Sequence, residues 1–328
     1  MVTDETECSC GRPAVFFRKY EGTHLCSPHF IRSVESRVMK AVGRHGMVKP
    51  GDHVIFALSG GKDSATVCSI VVSGAGSWRG INFTGVSVDE GVGPYRKQSI
   101  AAAAELCKRL NIQHRIFSFR EELGATMEQK LKAMRKSDPQ SPHLSNPCTI
   151  CSIGRRHILN RVSRELGGTK VCFGHNLDDE AQSVVMNFVR GDLQRASRGG
   201  AVTSTPASRS SRFIPRIKPL RDVPEREVAL YAWLKRLPFR CGACPYAGGL
   251  RLEARHFLNR LEMLSPGVKF SVLHTYDKVL PFMRAAASGH AAESCRTCGE
   301  PTPNGRCRAC ELWDQPTRRL KNKKRGSL

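Results

Sequence analysis

The sequence predicts an α/β protein built on a doubly wound parallel sheet, with a small cysteine-rich module at each end. Short apolar runs alternate with longer amphipathic segments between residues 52 and 190, and cysteines cluster near both termini at metal-ligand spacing. Strand–helix alternation of this kind favours a parallel sheet with helices on both faces. Ligands of such sheets bind at the carboxyl ends of the strands, so we look for the site there.

The elements begin with a helical pattern over about 30–48, whose apolar residues define one buried face. The patterns then predict, in order, strand 54–58, a helix to about 70, strand 83–88, helix 96–110, strand 112–118, helix 124–135, helix 149–166, strand 170–174 and helix 178–190. The stretch 191–212 is rich in Ser, Gly and Arg and predicts a mobile loop. A short strand at 213–217 and three helices lead to about residue 287.

The balance of charge favours a polyanionic partner. The 328 residues include 52 Lys and Arg against 29 Asp and Glu, a formal net charge of +23. A field of that sign attracts nucleic acid and speeds its encounter with the protein. No apolar run approaches the roughly 18 residues of a membrane span, and the acidic start differs from a signal peptide. We therefore expect a cytoplasmic protein without a membrane partner.

A phosphate-binding loop is indicated directly after the first strand of this sheet. Its glycines let the backbone approach an anion closely, and the helix that follows presents free N–H groups to it. The spacing differs from that of a Walker A loop. The candidate nucleotide-binding residues are Ser59, Gly60, Gly61, Lys62, Asp63 and Ser64.

Two further strand ends bring polar residues to the same edge of the sheet. Asp89 follows strand 83–88, where it would bind the nucleotide or help to hold Mg²⁺. Gly174 and His175 are candidates for nucleotide contact, although His175 equally suits a hydrogen bond within the loop. Asp178 and Asp179 would act as metal ligand or proton acceptor near a reacting base. Because Asp is a preferred N-cap, the sequence is equally consistent with Asp178 capping its helix.

Fourteen cysteines are many for a reducing compartment, where thiols serve metal binding or catalysis more often than disulfides. Cys148 and Cys151 sit at a predicted helix start, where the helix dipole favours thiolates that bind metal or react. A group at each end of the chain has the spacing of a closed, structural zinc site. These groups are Cys8, Cys10, Cys26 and His29, and Cys295, Cys298, Cys307 and Cys310.

At segment 59–64 the chain resembles the PP-loop of ATP pyrophosphatases, which cleave ATP to AMP and pyrophosphate while adenylating a substrate oxygen. Three more motifs are similar to those of tRNA uridine 2-thiolases of the TtuA/NcsA type, and they lie at 88–96, 147–156 and 174–181. With the cysteine groups, the resemblance covers nearly the whole chain. It implies an adenine-nucleotide alpha-hydrolase-like fold with four parts: a zinc finger at 1–30, the catalytic domain at 31–287, a zinc ribbon at 288–313 and a basic tail at 314–328.

This resemblance implies a reaction and its participants. ATP with Mg²⁺ would activate the C2 oxygen of a tRNA uridine, at wobble position 34 or at position 54, before sulfur replaces that oxygen. Cys244, which precedes Pro-Tyr as in the family, would join Cys148 and Cys151 in holding a 4Fe-4S cluster, leaving one iron free to bind sulfide. The implied catalytic residues are Cys148, Cys151, Asp178 and Lys62. The implied partners are tRNA, a ubiquitin-like sulfur carrier protein or sulfide as donor, and a second copy of the chain.

Several alternatives stay open on the sequence. Cys241 stands three residues before Cys244, so four thiolates would equally suit a closed zinc site. Cys148 and Cys151 would also suit a cluster-free transfer of sulfur through a disulfide. At the level of function, the alternatives are a PP-loop adenylating ligase similar to lysidine synthetase, without sulfur chemistry, and a non-enzymatic zinc-ribbon protein that binds RNA.

Overall fold

The computed structural model describes residues 7–74, 80–141, 144, 147–203, 212–242, 244–246, 248–287, 293–302 and 305–313. The basic tail predicted at 314–328 lies outside these ranges. Within them, no helix combines the length and the apolar character that a membrane crossing requires. The elements are, in chain order, β1 (Phe16–Arg18), β2 (Thr23–Leu25), α1 (Ser27–Arg44), β3 (His53–Ala57), α2 (Lys62–Gly74), β4 (Asn82–Asp89), α3 (Gly93–Arg109), β5 (Gln113–Ser118), α4 (Phe119–Leu123), α5 (Met127–Ser137), α6 (Pro147–Glu165), β6 (Lys170–Cys172), α7 (Leu177–Val189), α8 (Leu193–Ser197), β7 (Val202–Thr203), β8 (Arg216–Ile217), α9 (Glu225–Leu234), α10 (Leu250–Leu264), α11 (Val268–Ala286), β9 (Glu293–Ser294), β10 (Pro301–Thr302) and α12 (Arg308–Trp313).

The central sheet has six strands in the order β5-β4-β3-β6-β8-β7. Its neighbouring strands are parallel, except that β7 pairs antiparallel with β8. The chain runs outward from β3 through β4 to β5 and then returns to place β6 on the other side of β3. The strand order therefore reverses between β3 and β6, and a doubly wound sheet binds its ligands at such a point. The predicted fold class is confirmed.

Alternating side chains of β3 build the two layers of the core. Val54 and Phe56 join a buried cluster that includes Phe30 of α1, while Ile55 joins a second cluster that includes Ile158 of α6. Successive residues of a strand point to opposite faces, so a wholly apolar strand is covered by helices on both sides. This burial fixes the position of the loop that follows β3.

Two predictions about the elements are wrong. The helix predicted at 124–135 begins only at Met127, and residues 119–123, to which no element was assigned, form α4, which ends at Gly124 with a left-handed φ of 83°. Thr126 then starts α5 with a capping box, in which Gln129 is the reciprocal partner. The loop predicted at 191–212 contains α8 and β7, and residues 204–211 lie outside the described ranges.

Both terminal modules pack onto the central domain through buried charged groups. In the N-terminal hairpin, Arg18 Nη2 lies 2.5 Å from Glu227 Oε2 of α9. In the C-terminal module, Glu300 accepts hydrogen bonds from Asn160 Nδ2, at 2.5 Å, and from the guanidinium of Arg164. Asn160 and Arg164 belong to α6, so the helix that starts at the central cysteine pair also carries the C-terminal module.

Candidate functional site

The loop between β3 and α2 is held in an anion-binding conformation by its own hydroxyls and by α3. Ser59 Oγ lies 3.1 Å from Ser64 Oγ and accepts a hydrogen bond from the Gly61 N–H at 3.3 Å. Gly60 has φ +78°, and a Cβ on it would lie 1.9 Å from the carbonyl oxygen of Ser99. Only glycine fits there, because the backbone of α3 occupies the space of a side chain. The loop therefore presents donors at the N-terminus of α2.

Lys62 stands at the first position of α2 with its ammonium between two carboxylates. Its Nζ lies 2.9 Å from Asp63 Oδ2 and 3.0 Å from Glu225 Oε1. Burial disfavours the charge, but the carboxylates of Asp63 and Glu225 outweigh it and raise the pKa of Lys62. Lys62 is thus a cation at the mouth of the loop, suited to the phosphates of ATP. Glu225 comes from α9, and the sequence around it gives no indication that it pairs with Lys62.

The start of α7 is tied directly to this loop. Asn176 caps α7, exchanging hydrogen bonds with Asp179 in a capping box, and its Nδ2 also donates to Asp63 Oδ1 at 2.9 Å. A Cβ on Gly174 would lie 2.7 Å from the backbone carbon of Asp63 and the nitrogen of Ser64. The turn after β6 therefore packs directly against the backbone at the start of α2, beside the point where the strand order reverses.

The two predicted aspartates of α7 have different surroundings. Asp178 is buried, and its carboxylate accepts hydrogen bonds from the Glu225 N–H at 2.8 Å and from the ammonium of Lys269. The alternative that Asp178 caps α7 is wrong, since Asn176 is the cap. Burial and the charge of Asp63 raise the pKa of Asp179 to about 6, and Arg251 lies 3.4 Å from its Oδ1. Asp179 is therefore the aspartate of the pair that faces the loop.

The rim beyond β4 contains a buried ion pair that the sequence prediction missed. Arg96 Nε lies 2.8 Å from Glu90 Oε2, and its Nη1 donates to the carbonyl oxygen of Ser59 at 2.7 Å. The other carboxylate oxygen of Glu90 lies 3.7 Å from Arg155 Nη1. Asp89, the predicted ligand, accepts a hydrogen bond from the N–H of Gly91 at 2.9 Å. Glu90 directly follows Asp89, so the motif around Asp89 could have indicated that Glu90 belongs to the site.

The central thiols come together from two parts of the chain. Cys148 and Cys151 lie in the first turns of α6, and the thiol of Cys148 donates to the carbonyl oxygen of Tyr246 at 3.1 Å. Burial raises the pKa of Cys151 to about 11, the cation of Arg155 opposes this rise, and the neighbouring thiols Cys244 and Cys148 add to it. The three predicted cluster ligands thus lie within electrostatic reach of one another.

Within the described residues, these thiols are less closely grouped than the cysteines of the two terminal groups. Within the described ranges, only the two terminal groups bring three or more potential ligand atoms within 4.8 Å of one another. A 4Fe-4S cluster is larger than one zinc ion and separates its cysteine ligands further. The N-terminus of α6 and the guanidinium of Arg155 would offset the charge of the thiolates.

The segment that carries Cys244 is anchored to the phosphate loop. The N–H of Arg240 donates to the carbonyl oxygen of Gly60 at 2.9 Å, and its guanidinium lies 4.2 Å from the ring centroid of Tyr95. Cys241, the next residue, is exposed. This anchor places the start of the cysteine segment against the loop.

The terminal groups have the compactness of metal sites. In each, the four ligand atoms lie within 4.8 Å of one another. In the N-terminal group, Cys8 Sγ lies 3.1 Å from His29 Nδ1 and Cys10 Sγ lies 3.6 Å from Cys26 Sγ. In the C-terminal group the N–H of Cys307 donates to Cys295 Sγ at 3.2 Å. Four N/S donors so arranged fit tetrahedral zinc.

The comparisons with known proteins agree with this geometry. Residues 30–243 match the family described as PP-loop domain, and residues 7–31 match the N-terminal LIM domain of the 2-thiouridine synthetase TtuA. The chain is 36% identical to the tRNA 2-thiolation protein NcsA of Haloferax volcanii over 93% of this chain and 98% of the relative. It is 28% identical to the tRNA-5-methyluridine(54) 2-sulfurtransferase of Pyrococcus horikoshii over 93% of this chain and 92% of the relative.

A solved structure is similar over the whole length. The U34-tRNA thiolase NcsA from Methanococcus maripaludis, with its [4Fe-4S] cluster, has a TM-score of 0.79 and 31% identity. The match covers 98% of this chain and 100% of the other. The similarity therefore includes both cysteine-rich ends as well as the sheet.

Proposed function

The chain belongs to the PP-loop family of tRNA 2-thiolation enzymes, and we propose that it replaces the C2 oxygen of a tRNA uridine with sulfur. The observation that carries this proposal is the anchor between Arg240 and Gly60. It holds Arg240, four residues before Cys244, against the phosphate loop. This supports a site in which one uracil would meet both the α-phosphate of ATP and the three thiols. An adenylating ligase without sulfur chemistry would have no use for the three thiols.

The first half-reaction uses the residues of the loop and its rim. ATP lies over residues 59–64, with Lys62 and the N–H groups at the start of α2 on its phosphates. Mg²⁺ would be held by carboxylates at the same edge, from Asp63, Asp89 or Asp179. The C2 oxygen attacks the α-phosphorus and pyrophosphate leaves, so that the oxygen becomes part of a good leaving group.

The second half-reaction takes place beside the central thiols. Held by Cys148, Cys151 and Cys244, a 4Fe-4S cluster would supply sulfur at the iron that has no protein ligand. Attack of sulfide at C2 expels AMP, which carries away the former C2 oxygen. Sulfide keeps its oxidation state, so the exchange needs no reductant. Lys62 stabilises the phosphate charge in both steps, and Asp178, through Lys269 and Glu225, holds the start of α7 in place.

Several finer assignments complete the proposal. The terminal groups would each hold one structural zinc ion. The sulfur donor would be sulfide or a ubiquitin-like carrier protein with a C-terminal thiocarboxylate, and the enzyme would act in the cytoplasm, as a homodimer. We propose position 34 as the target, because the U34-tRNA thiolase is similar over 98% of this chain. The position-54 relative, at 28% identity, makes position 54 the alternative.

The test is anaerobic incubation of the purified protein with tRNA, ATP and sulfide, followed by nucleoside mass spectrometry and mapping of the modified position. We expect 2-thiouridine at position 34 and one pyrophosphate released per thiolation. The variants Cys148→Ser, Cys151→Ser and Cys244→Ser should lose iron and thiolation but keep tRNA-dependent release of pyrophosphate. Cys241→Ser tests the fourth thiol, which the three-ligand assignment does not need.

Other results would favour the alternatives. A colourless, iron-free protein with amino-acid-dependent ATP turnover would favour a ligase similar to lysidine synthetase. An iron-free protein that thiolates tRNA through a disulfide between Cys148 and Cys151 would favour cluster-free transfer. Binding of tRNA without release of pyrophosphate would favour a non-enzymatic RNA-binding protein.

A further inference from the structure

A cluster of aromatic and guanidinium groups lies beside the phosphate loop, on the side of β6 and β8. The rings of Phe173 and His175 stack with centroids 5.5 Å apart and an interplanar angle of 27°. The guanidinium of Arg216 lies over Phe173 at 5.8 Å and over Phe213 at 5.6 Å from the ring centroids. His175 is exposed, and Phe173, which packs against the second buried cluster, is only half-buried.

The imidazole of His175 is available to a ligand. Its side chain is 49% exposed, and its Nδ1 lies 3.7 Å from the carboxylate of Glu180. Glu180 is already paired with Lys218, at 2.7 Å. His175 directly follows Gly174, which touches the backbone of the phosphate loop. A planar group stacked on His175 would therefore lie next to the phosphates of ATP.

The surroundings of His175 are strongly cationic. Although half of the side chain is exposed, the surrounding protein partly desolvates the imidazole and lowers the pKa of His175 well below its usual value, and the charges of Lys218, Arg251, Arg156 and Arg155 lower it further. Arg156 also faces Arg195, and its own pKa is lowered by burial and by these neighbouring cations. The imidazole is thus a neutral ring among guanidinium groups. A base stacked on a neutral ring, with its phosphates on arginines, has the chemistry that suits such a surface.

ATP and the target nucleotide of tRNA are expected on different sides of β3. ATP is expected at the loop after β3 and the rim of Asp89 after β4, whereas His175 follows β6, on the opposite side of β3. Resting on the proposed function, we propose that His175 and Phe173 form a stacking platform for the target uracil of tRNA, and that Arg156 and Arg216 bind the phosphates beside it. In this assignment His175 serves the tRNA rather than the ATP for which the sequence made it a candidate.

The platform is tested by three variants in the full chain. His175→Ala should raise the KM for tRNA about tenfold, because base–aromatic stacking contributes roughly 1–3 kcal/mol, while the KM for ATP stays unchanged. His175→Phe should keep the wild-type KM for tRNA, since it retains the ring face. His274→Ala, an exposed histidine of α11, is the matched control and should behave as wild type. Equal losses in the Ala and Phe variants, or a raised KM for ATP alone, would overturn the platform.

A cross-linking experiment separates this proposal from the function itself. A transcript carrying 5-iodouridine at position 34 is irradiated with the wild-type protein, and a second transcript carries it at position 54. A cross-link in the tryptic peptide 171–190, lost in His175→Ala, supports the platform even if the protein forms no 2-thiouridine. Efficient thiolation with cross-links only elsewhere in the chain would refute the platform and leave the proposed function standing.

Discussion

Glu90 and Arg96 form a buried ion pair, 2.8 Å between Oε2 and Nε, that joins the phosphate loop to the thiol centre. On one side, Arg96 Nη1 donates to the carbonyl oxygen of Ser59 at 2.7 Å. On the other, Glu90 Oε1 lies 3.7 Å from Arg155, whose cation acts on the thiol of Cys151. The carboxylate of Glu90 is thus linked to the phosphate loop through Arg96 and to the central thiols through Arg155.

Arg96→Ala should destabilise the protein and weaken ATP binding together. Removing one partner leaves the carboxylate of Glu90 buried without its main counter-ion, which costs about 3–5 kcal/mol. The loop also loses a donor to Ser59, so we expect the KM for ATP to rise at least tenfold. Urea unfolding and pyrophosphate-release kinetics measure the two effects.

Two variants of α3 control this result. Arg109→Ala removes an exposed arginine that pairs with Glu105 and donates to the carbonyl oxygen of Arg236, and it should leave the free energy of unfolding close to that of the wild type. Arg96→Lys keeps the charge and should recover part of the stability without recovering the KM for ATP, because one ammonium replaces a forked donor. A fully active Arg96→Ala variant would refute the proposed role of the Glu90–Arg96 pair in holding the phosphate loop.

Gly174→Ala should impair the phosphate loop specifically. The added methyl would meet the backbone of Asp63 and Ser64 at 2.7 Å, and backbone cannot rotate away as a side chain can. Overpacking of this kind costs about 1–3 kcal/mol, here by pushing β6 away from the loop. We expect a lower Tm and a raised KM for ATP.

Gly43→Ala is the matched control, since a Cβ at this position of α1 meets nothing within 4 Å and alanine favours a helix. It should keep or slightly raise the Tm. If both glycine variants bound ATP as the wild type does, the contact between Gly174 and the phosphate loop would not contribute to ATP binding.

Local spacing made much of this site predictable. The phosphate loop and the two terminal cysteine groups are each formed by residues close in sequence, and the apolar strands place the loop and Asp179 at one edge of the sheet. The start of α5 was also predictable, because Thr126 and Gln129 have the spacing of a capping box.

The partners of the site residues were not predictable, since they depend on long-range packing. Glu225 contacts Lys62, from which it is separated by 163 positions in the sequence, and Lys269 contacts Asp178 at a separation of 91 positions. No periodicity of the sequence marks such pairs. Asp178 therefore read as a candidate catalyst, whereas its contacts in the fold favour a positioning role.

Asp179→Asn should stabilise the protein in a pH-dependent way, in the absence of ATP and divalent cations. The pKa of Asp179 is raised from 3.8 to about 6, so its contribution to stability is present below the lower value and lost as pH rises through the higher one. Asn cannot ionise and retains an acceptor for the N–H of Asn176. The side chain is 33% exposed, so we discount the effect for screening to about 1 kcal/mol.

Thermal unfolding at pH 8 and pH 5 measures this difference. The gain in Tm over wild type should be larger at pH 8 and should narrow at pH 5, where the wild-type carboxyl is mostly protonated in the folded state. A loss of Tm of equal size at both pH values would show that the capping box, rather than the charge, dominates at this position.

The C-terminal module should need both its metal ligands and its contact with α6. Cys298→Ser removes one of the four proposed zinc ligands and should reduce the zinc content from two ions per chain to one, measured by elemental analysis, while Cys241→Ser should keep two.

Glu300→Ala should keep both zinc ions, because Glu300 is not among the proposed ligands. It leaves Asn160 and Arg164 without their buried acceptor, at a cost of about 1–3 kcal/mol. Since α6 begins at Cys148 and Cys151, Glu300→Ala should also reduce iron retention on mild heating, and wild-type retention would show that the module acts independently of the thiol centre.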